Sequence, residues 1–416
     1  MKYNYRNLKL GCYMSNFSMS AVSVMSPLLF VTFHDLYGIS YALLGLLVLI
    51  NFSTQLLIDL LFSFFSEKFN IPKVTRLMPI LVIVGFSVYA LTPFIFPQYV
   101  YAGLVAGTIL FAVSSGLNEV LITPLVAEIP SENPDRETSK LHSVYAWGTV
   151  VVIIFSTVFL RLAGRSAWQF LPLILSVIPL SSAFFYFKTA IPALKSENQE
   201  SKSSHLLKTP LVWLCVFSLF VGGATECTLS QWASSYLEVA LGMDKVWGDI
   251  FGVAAYGFML GLGRTLYGKY GKNIERVLVL SAIGSLVCYA VAIFSPYAIV
   301  CLLACALTGF TASMLWPGNI IMSSERFPKG GVVIFALMAS GGDLGASVGP
   351  QIVGSVTELA TKSSWIASIG ETLHMTIDQI ALRTGLLASL VFPICTVAIT
   401  VYFKRLKEKE THTLAK

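Results

Sequence analysis

Long apolar stretches separated by short polar breaks dominate this chain. A helix needs about 20 apolar residues to cross the hydrocarbon core of a bilayer, and twelve stretches are long enough. The pattern therefore predicts an all-α membrane protein with twelve transmembrane helices. They are predicted at residues 8–33, 41–65, 74–96, 99–126, 141–163, 167–188, 209–238, 247–268, 275–294, 297–322, 331–357 and 379–403.

Composition supports lipid as the main solvent. Hydrophobic residues make up 55% of the chain and charged residues 12%, whereas about a quarter of a soluble domain is charged. The 7 cysteines all lie in predicted helices without metal or redox spacing, so we expect neither disulfides nor a metal site. No P-loop, HExxH or GxSxG pattern occurs, so an ATP-driven machine or an enzyme has no residues to support it.

The distribution of basic residues predicts the orientation, because Lys and Arg are retained on the cytoplasmic side. With twelve helices and both termini inside, only Arg161, Arg165, Lys245, Lys362 and Arg383 of the 28 basic residues fall outside. We therefore expect a multi-pass protein of the cell (inner) membrane with both termini cytoplasmic. Its net charge of +6 follows from this topology and does not indicate nucleic-acid binding.

The longest cytoplasmic break divides the chain into two halves. Residues 191–208 are predicted as a linker between an N-terminal six-helix bundle, 1–190, and a C-terminal six-helix bundle, 209–416. A sensor would need a sizeable soluble output domain, for which this linker is too short.

The two halves share a spacing of glycine and proline. Gly116, Pro124 and Gly148 are separated by 8 and 24 residues, and the same separations recur in a second triplet, Gly309, Pro317 and Gly341. The repeat predicts an internal duplication, and hence two pseudo-symmetric bundles around a central site.

Few ionisable residues lie inside the predicted helices. Each costs at least about 2.5–3.5 kcal/mol at bilayer depth, so each is expected to face a partner or water. Glu119 follows Asn118 in the fourth helix, on a face of small and hydroxylic residues. We interpret it as a carboxylate in a hydrated cavity. The alternative is a neutral carboxyl group that joins two helices.

The seventh helix offers a second acidic group in "GGATECTLSQW", 222–232. Glu226 could serve one ligand together with Gln231 and Trp232 if the helix bends at its paired glycines. Trp232 could instead be an anchor at the membrane interface.

The remaining candidates are spread over five helices. Trp316 and Asn319 share a side of the tenth helix, where Pro317 should break it, and could hold a polyhydroxylated or amphipathic ligand. Tyr145 could donate a hydrogen bond to Glu119 or to a ligand. Asp59 and Asp343 lie on stripes of polar residues along the second and eleventh helices. We interpret Asp59 as a contact between helices and Asp343 as the residue of its stripe best able to reach the cavity. Arg264, toward the cytoplasmic end of the eighth helix, is interpreted as a gate or snorkelling residue.

At this point the chain resembles the major facilitator superfamily. The string "GLNEVLITPLVAEIP", 116–130, looks like the fourth helix of its fucose-permease-like proton symporters, in which a Glu stands five residues before a Pro. The strings "GLGRTLYGKYG", "LWPGN" and "ALMASGGDLGASVGP" are similar to bacterial sugar-transporter-like members. One departure is Ser23, which stands where fucose permease has a carboxylate before the first-helix proline.

The resemblance implies alternating access driven by a proton gradient, without a cofactor. We expect a monomeric proton-coupled symporter of a small polar, sugar-like solute. The alternative is a proton-driven antiporter that exports amphipathic compounds. Proton coupling is assigned to Glu119, Glu226 and Asp343, solute binding to Asn118, Tyr145, Gln231, Trp232, Trp316 and Asn319, and gating or structural roles to Asp59 and Arg264.

Overall fold

The computed structural model describes residues 4–65, 68–127, 129–130, 134–192, 208–327 and 331–414. Within these ranges every regular element is a helix. Residues 193–207 of the predicted linker lie outside the described residues.

The expected all-helical membrane fold is confirmed. In the described ranges, 10 helices are long and apolar enough to cross a membrane, and a bent pair makes an eleventh. One further helix of 31 residues is also longer than a bilayer is thick. We name them spans 1 to 12 in chain order: Tyr5–Leu28 with Phe30–Tyr37, Tyr41–Phe65, Ile71–Ile95, Val100–Ala127, Pro134–Ala163, Phe170–Phe187, Pro210–Ala240, Lys245–Tyr270, Ile274–Phe294, Ala298–Arg326, Gly331–Thr361 and Ile377–Glu410.

The chain clusters into two compact units. The first comprises residues 1–40 and 50–199, and the second comprises 41–49 and 200–416. The start of span 2 thus groups with the second unit, whereas the sequence prediction divided the chain between spans 6 and 7 only. Each unit has its own apolar core, formed around Leu8, Met78 and Leu125 in the first and around Leu219 and Leu278 in the second.

Matching asparagines begin spans 3 and 9. The side chain of Asn70 accepts a hydrogen bond from the backbone N–H of Lys73 at 3.1 Å, and that of Asn273 accepts one from Arg276 at 3.0 Å. Each satisfies a backbone donor that the first turn of a helix leaves free. The same capping chemistry therefore follows spans 2 and 8, as a duplication requires.

The repeated glycines lie at equivalent helix crossings. A methyl group on Gly116 of span 4 would meet the carbonyl of Gln55 in span 2, and one on Gly309 of span 10 would overlap the carbonyl of Tyr256 in span 8. In each unit the shared glycine therefore permits the same close approach of two backbones.

The second glycine pair repeats this relation. Gly148 brings span 5 against Phe17 of span 1, and Gly341 brings span 11 against Val216 of span 7. These crossings give the glycine spacing of the sequence a physical cause in both bundles.

Six spans depart from regular α-helix, and spans 6 and 12 do so by single-residue breaks at Ser176 and Leu390. Span 1 bends by 44° after Leu28, close to Pro27. Spans 7 and 8 contain π-helical turns at Tyr236–Ala240 and Gly248–Ala254, and span 10 is interrupted between Ala312 and Leu315. Such breaks concentrate at functional positions in membrane proteins.

Candidate functional site

Two carboxyl groups meet in the first unit. A carboxylate oxygen of Asp59 in span 2 lies within 4.8 Å of one of Glu119 in span 4. Asp59 is half-buried and Glu119 is exposed. Gly116 makes the approach possible, because an added methyl group would come within 3.1 Å of the Asp59 carboxylate. The sequence assigned these two acids to different roles, and the structure brings them together.

Asn118 points away from this acidic pair and into the first unit. Its side-chain oxygen accepts a hydrogen bond from Ser15 at 2.7 Å, and its amide donates to Asn16 at 3.1 Å. It is 4% exposed. Adjacent positions on a helix point about 100° apart, so Asn118 and Glu119 face different surroundings despite their adjacency.

The Asn118 network borders a small polar cavity of about 10 Å³, which has room for the centre of about one water molecule. The hydroxyls of Ser18 and Ser115 lie against it, are buried, and have no hydrogen-bond partner among the described residues. The cavity is thus suited to hydration of the bundle interior and is too small for a sugar.

Tyr145 contacts span 1. Its hydroxyl donates to the Ser23 hydroxyl at 3.2 Å.

An ion pair lies at the middle of the second unit's spans. Nη2 of Arg264 donates to Oε1 of Glu226 at 2.8 Å. Glu226 is the seventeenth of the 31 residues of span 7 and its side chain is 9% exposed, whereas that of Arg264 is 40% exposed. The guanidinium is therefore held at mid-span depth and does not extend toward the end of its own helix. Its hydrogen bond to Glu226 was not anticipated from the sequence.

Arg264 also completes the broken helix of span 10. Pro317 lacks an N–H, so the carbonyl four residues earlier, that of Ser313, loses its helical donor. Nε of Arg264 donates to this carbonyl at 3.1 Å. The sequence placed the break at Pro317 itself, whereas the interruption lies at residues 313 and 314 because the missing bond acts one turn earlier.

Trp316 and Asn319 contact different neighbours. The Trp316 ring is half-buried and lies over Gly223 and Gly342, where either methyl group would crowd it. Asn319 is fully buried and accepts from Ser218 at 2.6 Å. Trp316 retains an accessible surface for a ligand, whereas the Asn319 side chain is engaged within the unit.

Trp232 is fully enclosed beside Gln231. Its indole N–H donates to the carbonyl of Pro350 at 2.9 Å, and its ring lies 6.4 Å from that of Tyr41. In this conformation no polar atom of Trp232 is left for a ligand. Gln231 is buried at 9% exposure. Asp343 is also buried in the second unit, at 3% exposure.

One charged cluster was missed by the sequence analysis. Lys245 lies 2.9 Å from the Ser234 hydroxyl and 3.2 Å from the Asp249 carboxylate, with Glu238 at 3.8 Å. It lies between the π-helical turns of spans 7 and 8. The spacing of Lys245 and Asp249, four residues apart on one helix, was the signal available in the sequence.

Two units of membrane-spanning helices with repeated crossings, and with ionisable side chains inside their spans, define a multi-pass membrane transporter. The family model of the Major Facilitator Superfamily matches residues 11–350. The chain belongs to this family. No curated protein matches it.

Solved transporters have the same fold at low sequence identity. A single-substitution mutant of a nucleoside transporter, NupG, is 12% identical with a TM-score of 0.72, covering 95% of this chain and 99% of that chain. A D-xylose-proton symporter is 16% identical with a TM-score of 0.69, covering 93% and 96%. The Escherichia coli (E. coli) fucose:proton symporter FucP, also as a single-substitution mutant, is 15% identical with a TM-score of 0.59, covering 95% and 98%.

Proposed function

We propose that the protein is a proton-coupled symporter of a small polar, sugar-like solute that works by alternating access. The proposal rests chiefly on the paired carboxyl groups of Asp59 and Glu119. It is supported by the pseudo-symmetric units, and by structural neighbours whose names describe sugar and proton transport.

The distance between the two carboxyl groups favours a shared proton. At an effective dielectric constant near 20, two negative charges 4.8 Å apart repel by roughly 3.5 kcal/mol. One proton on the pair removes this repulsion and replaces it with a hydrogen bond. The pair can then exist with one proton or none, which is the property that a coupling site needs.

The exposure of Glu119 gives this proton a route. Glu119 is the twentieth of the 28 residues of span 4, and its side chain is exposed. A charged group exposed to lipid at that depth would be costly, so we infer that it faces a hydrated space. Proton and solute would bind from one side, where the neutral carboxyl can donate to a solute hydroxyl. Both would leave when the other side becomes hydrated.

We further propose that the protein acts as a monomer in the cell (inner) membrane with both termini cytoplasmic, powered by the proton gradient without a cofactor. The placement of basic residues supports this orientation.

Transport in proteoliposomes tests the function. A panel of neutral pentoses, hexoses and nucleosides would be offered with and without an inward proton gradient. Wild-type protein should accumulate a panel member only with the gradient. Glu119→Gln should lose accumulation but retain exchange of preloaded solute. Glu371→Gln, an exposed acid outside the spans, is the matched control.

Two outcomes would overturn the proposal. Accumulation by Glu119→Gln with undiminished dependence on the proton gradient would remove the coupling role. Movement of amphipathic compounds against the proton flow, without sugar uptake, would instead establish the antiport alternative.

A further inference from the structure

The guanidinium of Arg264 is a partly exposed positive charge at mid-span depth in the second unit. Two of its nitrogens are fixed, Nε on the Ser313 carbonyl and Nη2 on Glu226. Among the residues that the structure describes, Nη1 has no hydrogen-bond partner, and 40% of the side chain is exposed. An Arg oriented in this way presents a free donor edge, which suits a planar carboxylate.

Glu226 uses only half of its carboxylate. Oε1 accepts from Arg264, while Oε2 is buried and has no hydrogen-bond partner in the described part of the chain. The pair is monodentate because Nε is occupied by the Ser313 carbonyl, so the guanidinium cannot offer two parallel donors to Glu226. A buried charged oxygen without a partner is costly, and a proton on Glu226 would remove its charge.

The break in span 10 adds to the same electrostatic environment. The half-helix Leu315–Arg326 begins beside Ser313, so its first turn lies at the Arg264–Glu226 pair, with the Trp316 backbone N–H against the Glu226 carboxyl group. Helix N-termini favour negative charge, and transporters with interrupted spans use them toward anionic groups of their substrates. The half-buried Trp316 ring provides an adjacent apolar face.

We propose that Arg264 recognises an acidic group of the transported solute, a carboxylate such as that of a sugar acid, and that Glu226 takes up a proton when this group displaces it. This rests on the proposed function and narrows its solute class. The proton goes to Glu226, and the solute carboxylate replaces it as the counterion of Arg264. The net charge of the occupied pair is thereby unchanged, so no unpaired charge is left inside the unit.

Several titratable groups surround Glu226 and define the site whose protonation changes. Arg264 and Tyr256 from span 8 and Cys227, next in the chain, interact with Glu226 directly. Tyr289 of span 9 interacts with Tyr256, and Asp343 of span 11 interacts with Cys227. Tyr256 already donates to the Glu226 backbone carbonyl at 2.7 Å. Arg264 is the basic group in this set. Replacement of its counterion by the solute carboxylate is therefore the change that would protonate Glu226.

Binding to purified wild-type protein tests the subsite without any transport. The probes are D-gluconate, D-glucuronate and D-galacturonate, with D-glucose as the neutral control, titrated between pH 6 and pH 8. Because one proton is taken up at Glu226 with each acid, affinity for the acids relative to that for D-glucose should rise up to about tenfold per unit fall in pH. Affinity for D-glucose should show only the pH dependence that Asp59 and Glu119 contribute.

Substitutions distinguish a loss of this binding site from a general loss of protein stability. Glu226→Gln keeps Arg264 in place and should bind the acids tightly, with the same pH dependence as D-glucose. Arg264→Lys should weaken acid binding about 10- to 100-fold, since the planar donor edge is lost. Lys269→Gln, an exposed cation of the same span, should leave binding unchanged. Infrared difference spectra should show a protonated-carboxyl band on acid binding that Glu226→Gln lacks.

The outcomes are decisive in either direction. Failure of every sugar acid to bind, or equal pH dependence in wild type and Glu226→Gln, would overturn the subsite. Proton-driven uptake of neutral sugars in the same preparation would then leave the proposed function standing. If Arg264→Lys unfolds, the Glu226→Gln pH profile and the infrared band still decide.

Discussion

Replacement of the repeated glycines by alanine tests the internal duplication. Gly116 and Gly309 carry spans 4 and 10 across spans 2 and 8. We expect Gly116→Ala and Gly309→Ala both to destabilise their units. Gly261 and Gly268 of span 8 are matched controls, because a methyl group on either meets no atom within 4 Å.

The magnitude follows from two opposing effects. Alanine is favoured over glycine in a helix by about 1 kcal/mol, which should stabilise the control variants. A methyl group on Gly309 would overlap the Tyr256 carbonyl, and one on Gly116 would lie 2.9 Å from the Gln55 carbonyl. Backbone atoms cannot rotate aside, so overpacking should cost about 1–3 kcal/mol or more. The net loss should be larger at Gly309, where the overlap is greater.

Thermal unfolding of the purified variants in one detergent measures this order. The predicted melting temperatures fall from Gly261→Ala and Gly268→Ala, through wild type and Gly116→Ala, to Gly309→Ala. If Gly309→Ala were as stable as Gly261→Ala, the close crossing of spans 8 and 10 would not exist and the equivalence of the two units would lose its main support.

Two further substitutions and one control variant test contacts within the second unit. Lys407 lies 2.7 Å from Glu275, which is 3% exposed, so Lys407→Ala should destabilise by about 1–3 kcal/mol in a thermal-unfolding assay. Lys404→Ala, whose ion pair is exposed, should change stability by less than about 1 kcal/mol, and equal losses would refute the distinction. Trp232→Phe should cost about 1–3 kcal/mol by leaving the Pro350 carbonyl unpaired, while solute binding persists. Lost binding with unchanged stability would make Trp232 a ligand contact.

The fold could be predicted because a helix that crosses a membrane needs a long run of apolar residues, and such a run is visible in the local sequence. Twelve apolar stretches and the glycine spacing are each readable without knowing any neighbour. The boundary within span 2 could not be read in this way. It depends on which helices the residues 41–49 contact, and hydrophobicity does not record that choice.

The site was less predictable, because its pairs join distant positions. Asp59 and Glu119 are 60 residues apart, and Arg264 follows Glu226 by 38. The sequence identified all four as costly, yet their partners depend on helix rotation. Pro317 illustrates the limit well. Its identity predicts a lost hydrogen bond, but only the packed structure shows Arg264 supplying the replacement.

The most direct test of the central claim is proton movement caused by the solute. Proteoliposomes with a trapped pH dye would receive a transported neutral sugar in the absence of a proton gradient. The account predicts that wild-type protein acidifies the lumen as solute enters, while Asp59→Asn and Glu119→Gln exchange solute without a pH change. Equal acidification by Glu119→Gln and wild type would contradict a proton shared by Asp59 and Glu119.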